Sequence, residues 1–285
     1  VADSSTQAAV QEIIRYQFAR NQLTKATDHL SVEEPLEIII DFHQKNSASA
    51  QRMTLSVTMR SPGHDEELAT GFLFSEGLIR NKIDIQKLLR DNEAVRPDNS
   101  MVVTLAQPFD GESDRLQRHF FTNSSCGVCG KTSMQALEML HQPSLTVAEP
   151  IVSAGTLCQL PLRLREHQQQ FANTGGIHAA ALFSPAGELL LLQEDVGRHN
   201  AMDKLIGACV LEDRLPLLKQ SLILVSGRSS FELVQKALMA DVPILAAIGA
   251  PTSLAVQLAA RHDLTLVGFL KADSFNIYHS PERVI

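Results

Sequence analysis

Ser221-Leu222-Ile223-Leu224-Val225-Ser226-Gly227-Arg228-Ser229-Ser230 reads as a short, wholly apolar strand that stops at a polar turn, and Ser229 to Ala240 then carries a helical pattern. A strand apolar at every position needs cover on both faces. The unit recurs downstream, as strand Val242 to Ala246 with helix Thr252 to Arg261, and then strand Leu264 to Phe269. Upstream lie a helix opened by Pro161 and running to Phe171, strands Ile177 to Phe183 and Glu188 to Leu192 around the turn Pro185-Ala186-Gly187, and a helix from Arg198 to Val210. Strands alternating with helices predict an α/β layer with a largely parallel sheet.

The first half has a different texture. Ile14-Arg15-Tyr16-Gln17-Phe18 alternates as a strand does, and Pro35 to Phe42 and Arg52 to Met59 read as a hairpin. Ser61-Pro62-Gly63 is a turn, after which Asp65, Glu66 and Glu67 place negative charge in the first turn of a helix running to about Ile79. A strand near Met101 to Leu105 follows. The fold class expected is α/β, with a smaller α+β N-terminal domain over residues 1–148 and an α/β domain over 149–285.

The chain has 285 residues, 44% of them hydrophobic, enough for a sizeable core. A net charge of -7 gives no electrostatic reason to expect nucleic acid or an anionic membrane as partner. Four cysteines and a start without a charged region and apolar core point to a reducing, cytoplasmic setting. The most apolar stretch, Val242 to Ala260, is interrupted by Pro243, Pro251, Thr252, Ser253 and Gln257, so no membrane span is expected.

Three turns carry residues suited to an anionic ligand: Glu194-Asp195-Val196-Gly197-Arg198-His199-Asn200, Ser226-Gly227-Arg228-Ser229-Ser230 and Gly249-Ala250-Pro251-Thr252-Ser253. In an open α/β sheet they gather at the carboxyl ends of the strands, where helix-start N–H groups, hydroxyls and the guanidinium groups of Arg198 and Arg228 can hold a phosphate. Ordinary N-capping accounts for Ser229, Ser230, Thr252 and Ser253 taken singly; their convergence favours a nucleotide-like ligand. His178 starts a strand after Gly175-Gly176 and reads first as a hydrogen-bonded histidine. Cys209 falls on an apolar stripe with Met202, Leu205, Ile206 and Val210 and reads as core, as does Cys158.

Ser125-Cys126-Gly127-Val128-Cys129-Gly130 holds two thiols with two residues between them, presented by a stretch from Gln107 to Ser125 read as a mobile loop and followed by a short helix, Thr132 to His141. Such a pair can close a disulfide, supply half a zinc site or hold a reactive sulfur, and the spacing alone does not choose. The helix start and Lys131 both favour a thiolate at Cys129. A zinc deaminase needs His-x-Glu followed by Pro-Cys-x-x-Cys; here Ala180 stands two residues after His178 and the cysteines come before it, although the order of elements in the second half is that of the deaminase fold.

Several strings together resemble the formate dehydrogenase accessory sulfurtransferase family: Glu67-Leu68-Ala69-Thr70-Gly71-Phe72-Leu73-Phe74-Ser75-Glu76-Gly77, Cys126-Gly127-Val128-Cys129-Gly130, Gly176 to Ala181, Glu194 to Lys204, and Val225-Ser226-Gly227-Arg228. The resemblance implies a cytoplasmic homodimer with a cytidine deaminase-like three-layer C-terminal domain. It further implies sulfur received from a cysteine desulfurase, carried as a persulfide on Cys126 with Cys129 beside it, and passed to the molybdenum of formate dehydrogenase's bis(molybdopterin guanine dinucleotide) cofactor. The cofactor is a client here, with no intrinsic metal expected. The family's cofactor-binding segment maps onto Phe269-Leu270-Lys271-Ala272-Asp273-Ser274, with Ser226, Gly227, Arg228 and His199 as the further residues expected around the guanine nucleotide. The competing reading is a non-catalytic molybdenum-cofactor chaperone whose cysteines only dock a partner.

Overall fold

The computed structural model describes residues 9–44, 50–108 and 151–285. The chain opens with a hairpin, β1 (Val10–Ala19) and β2 (Gln22–Ser31), joined through Arg20 and Asn21 at φ 49° and 61°. Two central residues with positive φ match the twist of a two-residue hairpin. β3 (Glu34–His43), β4 (Ala50–Arg60), β5 (Ile85–Arg90) and β6 (Ser100–Leu105) form a second sheet in the order β4-β3-β6-β5, with β3 and β6 parallel and the other pairs antiparallel. Between β4 and β5 lies helix α1 (Asp65–Ser75).

The second half supplies α2 (Ala154–His167), α3 (Gln169–Thr174), β7 (His178–Phe183), β8 (Leu189–Asp195), α4 (Arg198–Leu211), α5 (Leu215–Leu218), β9 (Leu222–Val225), α6 (Phe231–Met239), β10 (Ile244–Ala247), α7 (Ser253–Arg261), β11 (Thr265–Gly268) and β12 (Asn276–His279). Its strands form one six-stranded sheet, β12-β11-β10-β9-β7-β8. Ala179, Ala181, Phe183, Leu222, Leu224, Ile244 and Ala246 face α2 residues Leu157, Leu160 and Leu164. Ala180, Leu182, Ile223, Val225, Leu245 and Leu266 face the opposite way, into a core shared with α4, α6 and α7. That core continues without a break through α1 to Leu36, Ile38, Ile40, Met101 and Val103 of the four-stranded sheet.

Helices α1 and α4 meet backbone to backbone. A Cβ at Gly71 would lie 2.6 Å from the Asp203 carbonyl carbon, and one at Gly207 would lie 2.7 Å from both the Glu67 carbonyl carbon and the Gly71 amide nitrogen. Glycine at these two sites lets the helices approach closely enough to weld the two halves.

The sheet is mixed, which corrects the expectation of a largely parallel one. β9, β10 and β11 run parallel, whereas β7 is antiparallel to both β8 and β9, and β12 is antiparallel to β11. Pro161 does not open its helix: α2 starts seven residues earlier, where Ser153 accepts from the Thr156 N–H at 3.0 Å, and ends at His167. α1 stops at Ser75 instead of Ile79 because Gly77 turns left-handed at φ 74°. β2, β5 and β12 had no counterpart among the elements expected from the sequence. Cys209 is fully buried, as expected, while Cys158 is half-buried. The Cys126/Cys129 loop, the helix expected at 132–141 and the domain boundary at 148/149 lie outside the described residues. Among those described, no helix is long and apolar enough to cross a membrane.

Candidate functional site

Strand direction decides where the polar turns go. β8, β9, β10 and β11 share one direction, so their carboxyl ends lie on one edge of the sheet, and antiparallel β7 brings its first residue, His178, opposite Asp195 on the same edge. The turns are then stitched together through the main chain. Gly249 N–H donates to the Gly227 carbonyl at 2.9 Å, Phe269 N–H to the Gly249 carbonyl at 3.0 Å, and Thr252 N–H to the Ser229 carbonyl at 3.0 Å. Ser226, Gly227, Arg228 and the Phe269 segment therefore form one continuous ledge. His199 joins it from α4, with Nε2 3.1 Å from the Ser230 hydroxyl.

The side chains on the ledge divide by exposure. Arg228, Phe269, Lys271, Ala272, Asp273 and Ser274 are exposed, while Leu270 is turned into the core beneath. Phe269 holds φ at 53°, an uncommon value for an aromatic residue, and presents its ring to solvent. Ser226 is committed locally, its hydroxyl accepting from the Ala179 N–H at 2.9 Å. A Cβ at Gly227 would meet His178 Nδ1 at 3.3 Å and Arg198 Cδ at 3.7 Å, so this glycine keeps the floor between them open.

Charge at this edge is arranged for an anion. The starts of α4 and α6 have no side-chain cap, while Thr252 caps α7. Uncapped helix starts leave N–H groups and the positive end of the dipole to a ligand. Arg198 Nε and the hydroxyl of fully buried Ser229 have no hydrogen-bond partner among the described residues. Burial, and then the Arg198 charge, hold His178 below its ordinary pKa. Burial pushes His199 down to about 4, the Glu232 carboxylate offsetting only part. Both imidazoles are thus neutral at pH 7, and the guanidinium groups carry the positive charge. These features suit an anionic group such as a phosphate.

Two buried charge clusters hold the edge in place. Asp195, fully buried, accepts from the N–H groups of Ser61 at 3.1 Å and Gly197 at 2.8 Å, from Asn200 Nδ2 at 3.1 Å and from Lys204 Nζ at 2.7 Å. Lys204 also donates to the Ser61 carbonyl at 2.9 Å, and Asn200 to the Met59 carbonyl at 2.7 Å. The turn that presents Arg198 and His199 is thereby locked to the Ser61-Pro62-Gly63 turn of the other sheet. Arg60 and Asp65, bonded at 2.9 and 3.0 Å, fix that turn in its own sheet. Beneath α4, Lys236 donates to both Asp203 oxygens at 2.8 and 2.9 Å, and Ser75 to Asp203 at 2.9 Å. Burial works against the Lys236 charge, but the Asp203 and Glu232 carboxylates outweigh it and hold the ammonium above its ordinary pKa.

The sequence reading missed these clusters, though a signal was present: Asp203 and Lys204 interrupt an otherwise apolar stretch of α4. Among the described residues, no three His, Cys, Asp or Glu side chains are grouped to hold a metal ion.

The model of the FdhD/NarQ family matches residues 31–285. The chain belongs to the FdhD/NarQ family. It is similar to the sulfur carrier protein FdhD of Mycolicibacterium paratuberculosis, 45% identical over 259 residues that span 90% of this chain and 91% of that protein. The sulfur carrier protein FdhD of Sulfolobus acidocaldarius is 42% identical over 260 residues, 90% of this chain and 91% of its own. A crystal structure assigned as a formate dehydrogenase accessory protein from Desulfotalea psychrophila superposes with a TM-score of 0.72 at 21% identity, covering 98% of this chain and all of that one. At that identity the likeness is one of fold: a mixed α/β chain with several sheets.

Proposed function

We propose that the chain is a cytoplasmic sulfur carrier that matures formate dehydrogenase. Cys126 takes sulfur from a cysteine desulfurase by thiolate attack on the donor's persulfide. The donor cysteine leaves as a thiolate and Cys126 becomes the persulfide, with Cys129 at its side. The outer sulfur then passes to the molybdenum of a bis(molybdopterin guanine dinucleotide) cofactor, the protein's client cargo: the S–S bond breaks, Cys126 leaves as a thiolate, and the two electrons that bring the sulfur to the sulfide level come from the reduced metal of the client; the chain works as a homodimer.

The observation that carries this reading is the similarity to sulfur carrier proteins over 90% of a chain that contains Cys126-Gly127-Val128-Cys129. The ledge supports the cargo half: uncapped helix starts, Arg198, Arg228 and the exposed Phe269 ring suit the phosphates and base of a guanine nucleotide. The second half, from about residue 149, is read as a cytidine deaminase-like three-layer domain. The strand order β8-β7-β9-β10-β11 with α2 on one face and α4, α6 and α7 on the other supports that reading. At the start of α4 the sequence is His199-Asn200-Ala201, so the proton-shuttling Glu of a deaminase has no counterpart there either.

The test is activation of formate dehydrogenase by the wild-type chain, by Cys126→Ala and by Arg228→Ala. Sulfur carriage requires Cys126→Ala to fail while still binding guanosine diphosphate, and Arg228→Ala to bind it more weakly. Full activation by Cys126→Ala would favour a chaperone whose cysteines only dock a partner.

A further inference from the structure

Helices α2, α6 and α7 each start after a serine or threonine, but only two of those hydroxyls cap their helix. Ser153 accepts from the Thr156 N–H at 3.0 Å, and Thr252 from the Ala255 N–H at 3.4 Å. Ser230 holds the extended backbone of an N-cap before α6, at φ -88° and ψ 168°, and makes no such bond. Its hydroxyl lies instead 3.1 Å from Nε2 of His199, the second residue of α4.

A hydroxyl drawn to His199 cannot cap α6. The N–H groups of the first turn therefore donate to no side chain, and the positive end of the helix stays open. The surroundings of that opening call for an anion. Ser229, one residue before the cap, is fully buried, and its hydroxyl has no hydrogen-bond partner among the described residues; the buried Nε of Arg198 has none either. Arg198 lies over the same turn, since a Cβ at Gly227 would meet its Cδ at 3.7 Å. Glu232, the acidic residue of the first turn, is held 3.5 Å from the buried Lys236 ammonium and 3.6 Å from His199 Nε2.

His199 itself brings no charge to this end of the helix. Burial pushes its pKa down to about 4, so at pH 7 the ring is neutral and acts through its hydrogen bond. Either tautomer of the ring fixes the Ser230 hydroxyl in the same rotamer.

We infer that His199 is a positioning residue for the anion: by holding the Ser230 hydroxyl out of the cap, it keeps the start of α6 free for a phosphate group of the cargo. Without that hold, one rotation about χ1 returns the hydroxyl to the helix, and the cap competes with the ligand for the same N–H donors. This role rests on the nucleotide reading of the ledge and deepens it: Arg198 and Arg228 take the phosphate, whereas His199 clears its seat.

The test is isothermal titration of the full chain with guanosine diphosphate and with inorganic pyrophosphate, on wild type, His199→Phe and the His199→Phe/Ser230→Ala double variant. Far-ultraviolet circular dichroism and melting confirm that the variants are folded. His199→Phe keeps the ring volume but frees the hydroxyl, and it is expected to bind roughly tenfold more weakly. Removing that hydroxyl in the same chain is expected to bring the affinity back to within about threefold of wild type. A ring that touches the phosphate directly, or only supports the fold, gives no such rescue. His199→Phe binding as wild type does, or a double variant as weak as the single one, would overturn the role and leave the nucleotide site standing. A second measurement needs no substitution: amide hydrogen exchange at Glu232 and Leu233 of the wild type is expected to slow when guanosine diphosphate binds, and unchanged exchange in the bound protein would overturn the seat on α6. A wild type that binds neither probe would overturn the nucleotide reading and this role with it.

Discussion

Substituting Gly207→Ala sets two effects of opposite sign against each other. Alanine is the better helix former by about 1 kcal/mol, and Gly207 sits within α4. Against that, the added Cβ would lie 2.7 Å from backbone atoms of Glu67 and Gly71, with the Glu67 carbonyl oxygen nearer still. Backbone cannot rotate out of the way as a side-chain tip can, so relief requires α1 and α4 to part by about 1 Å, a gap that forfeits a quarter to a half of the dispersion energy of each contact. Overpacking of this kind costs about 3 kcal/mol, and the net result is destabilisation by about 2 kcal/mol. Urea unfolding reads it directly: at an m-value of about 3 kcal/mol/M the midpoint falls by roughly 0.7 M. Gly155→Ala is the matched control, because that glycine is exposed in α2 and a Cβ there meets nothing nearer than Ser153 Oγ at 3.9 Å. It should be neutral or stabilising by up to about 1 kcal/mol. A Gly207→Ala midpoint at or above the wild-type value would refute the close packing of α1 on α4.

His199 gives a pH dependence. Its folded pKa of about 4 lies below the ordinary 6.5, so the unfolded chain binds the proton more readily; stability is complete above pH 6.5 and is lost as pH falls toward 4. Between pH 7.5 and pH 5 the loss from this residue is about 2 kcal/mol, and His199→Gln should flatten that part of the urea-derived profile; an unchanged slope would contradict the burial of a neutral imidazole. Lys204→Met leaves the Asp195 carboxylate buried with only its N–H donors and should cost about 3 kcal/mol. Asp195→Asn in the same chain should recover part of that loss in a double-mutant cycle, whereas strict additivity would deny the coupling.

Much of the second half was legible because burial on both faces writes itself into composition. Leu222 to Val225 and Ile244 to Ala247 have no polar face, and the stripe through Met202, Leu205, Ile206 and Cys209 lies in the core, although α4 is buried all round from Asn200 to Val210. Strand direction was not legible, because it depends on β7 pairing with β9 across an intervening strand and two helices, and no local pattern records that pairing. β2 escaped notice because a strand exposed on both faces has no apolar alternation. At the site, the residues Ser226 to Arg228 and Phe269 to Ser274 could be nominated from their turns. What joins them, the bonds Gly227–Gly249 and Gly249–Phe269, runs through the main chain and leaves no side-chain signature. Gly71 and Gly207 were visible as poor helix formers inside helices, but their meeting belongs to the packing of α1 on α4.

Sulfur carriage by Cys126 underlies the proposed function. Intact mass after incubation with a cysteine desulfurase and cysteine tests it most directly, on wild type, Cys126→Ala and Cys129→Ala. One added sulfur is expected on the wild type, removed by a reductant, and none on Cys126→Ala. No added sulfur on the wild type, or an undiminished yield on Cys126→Ala, would contradict it.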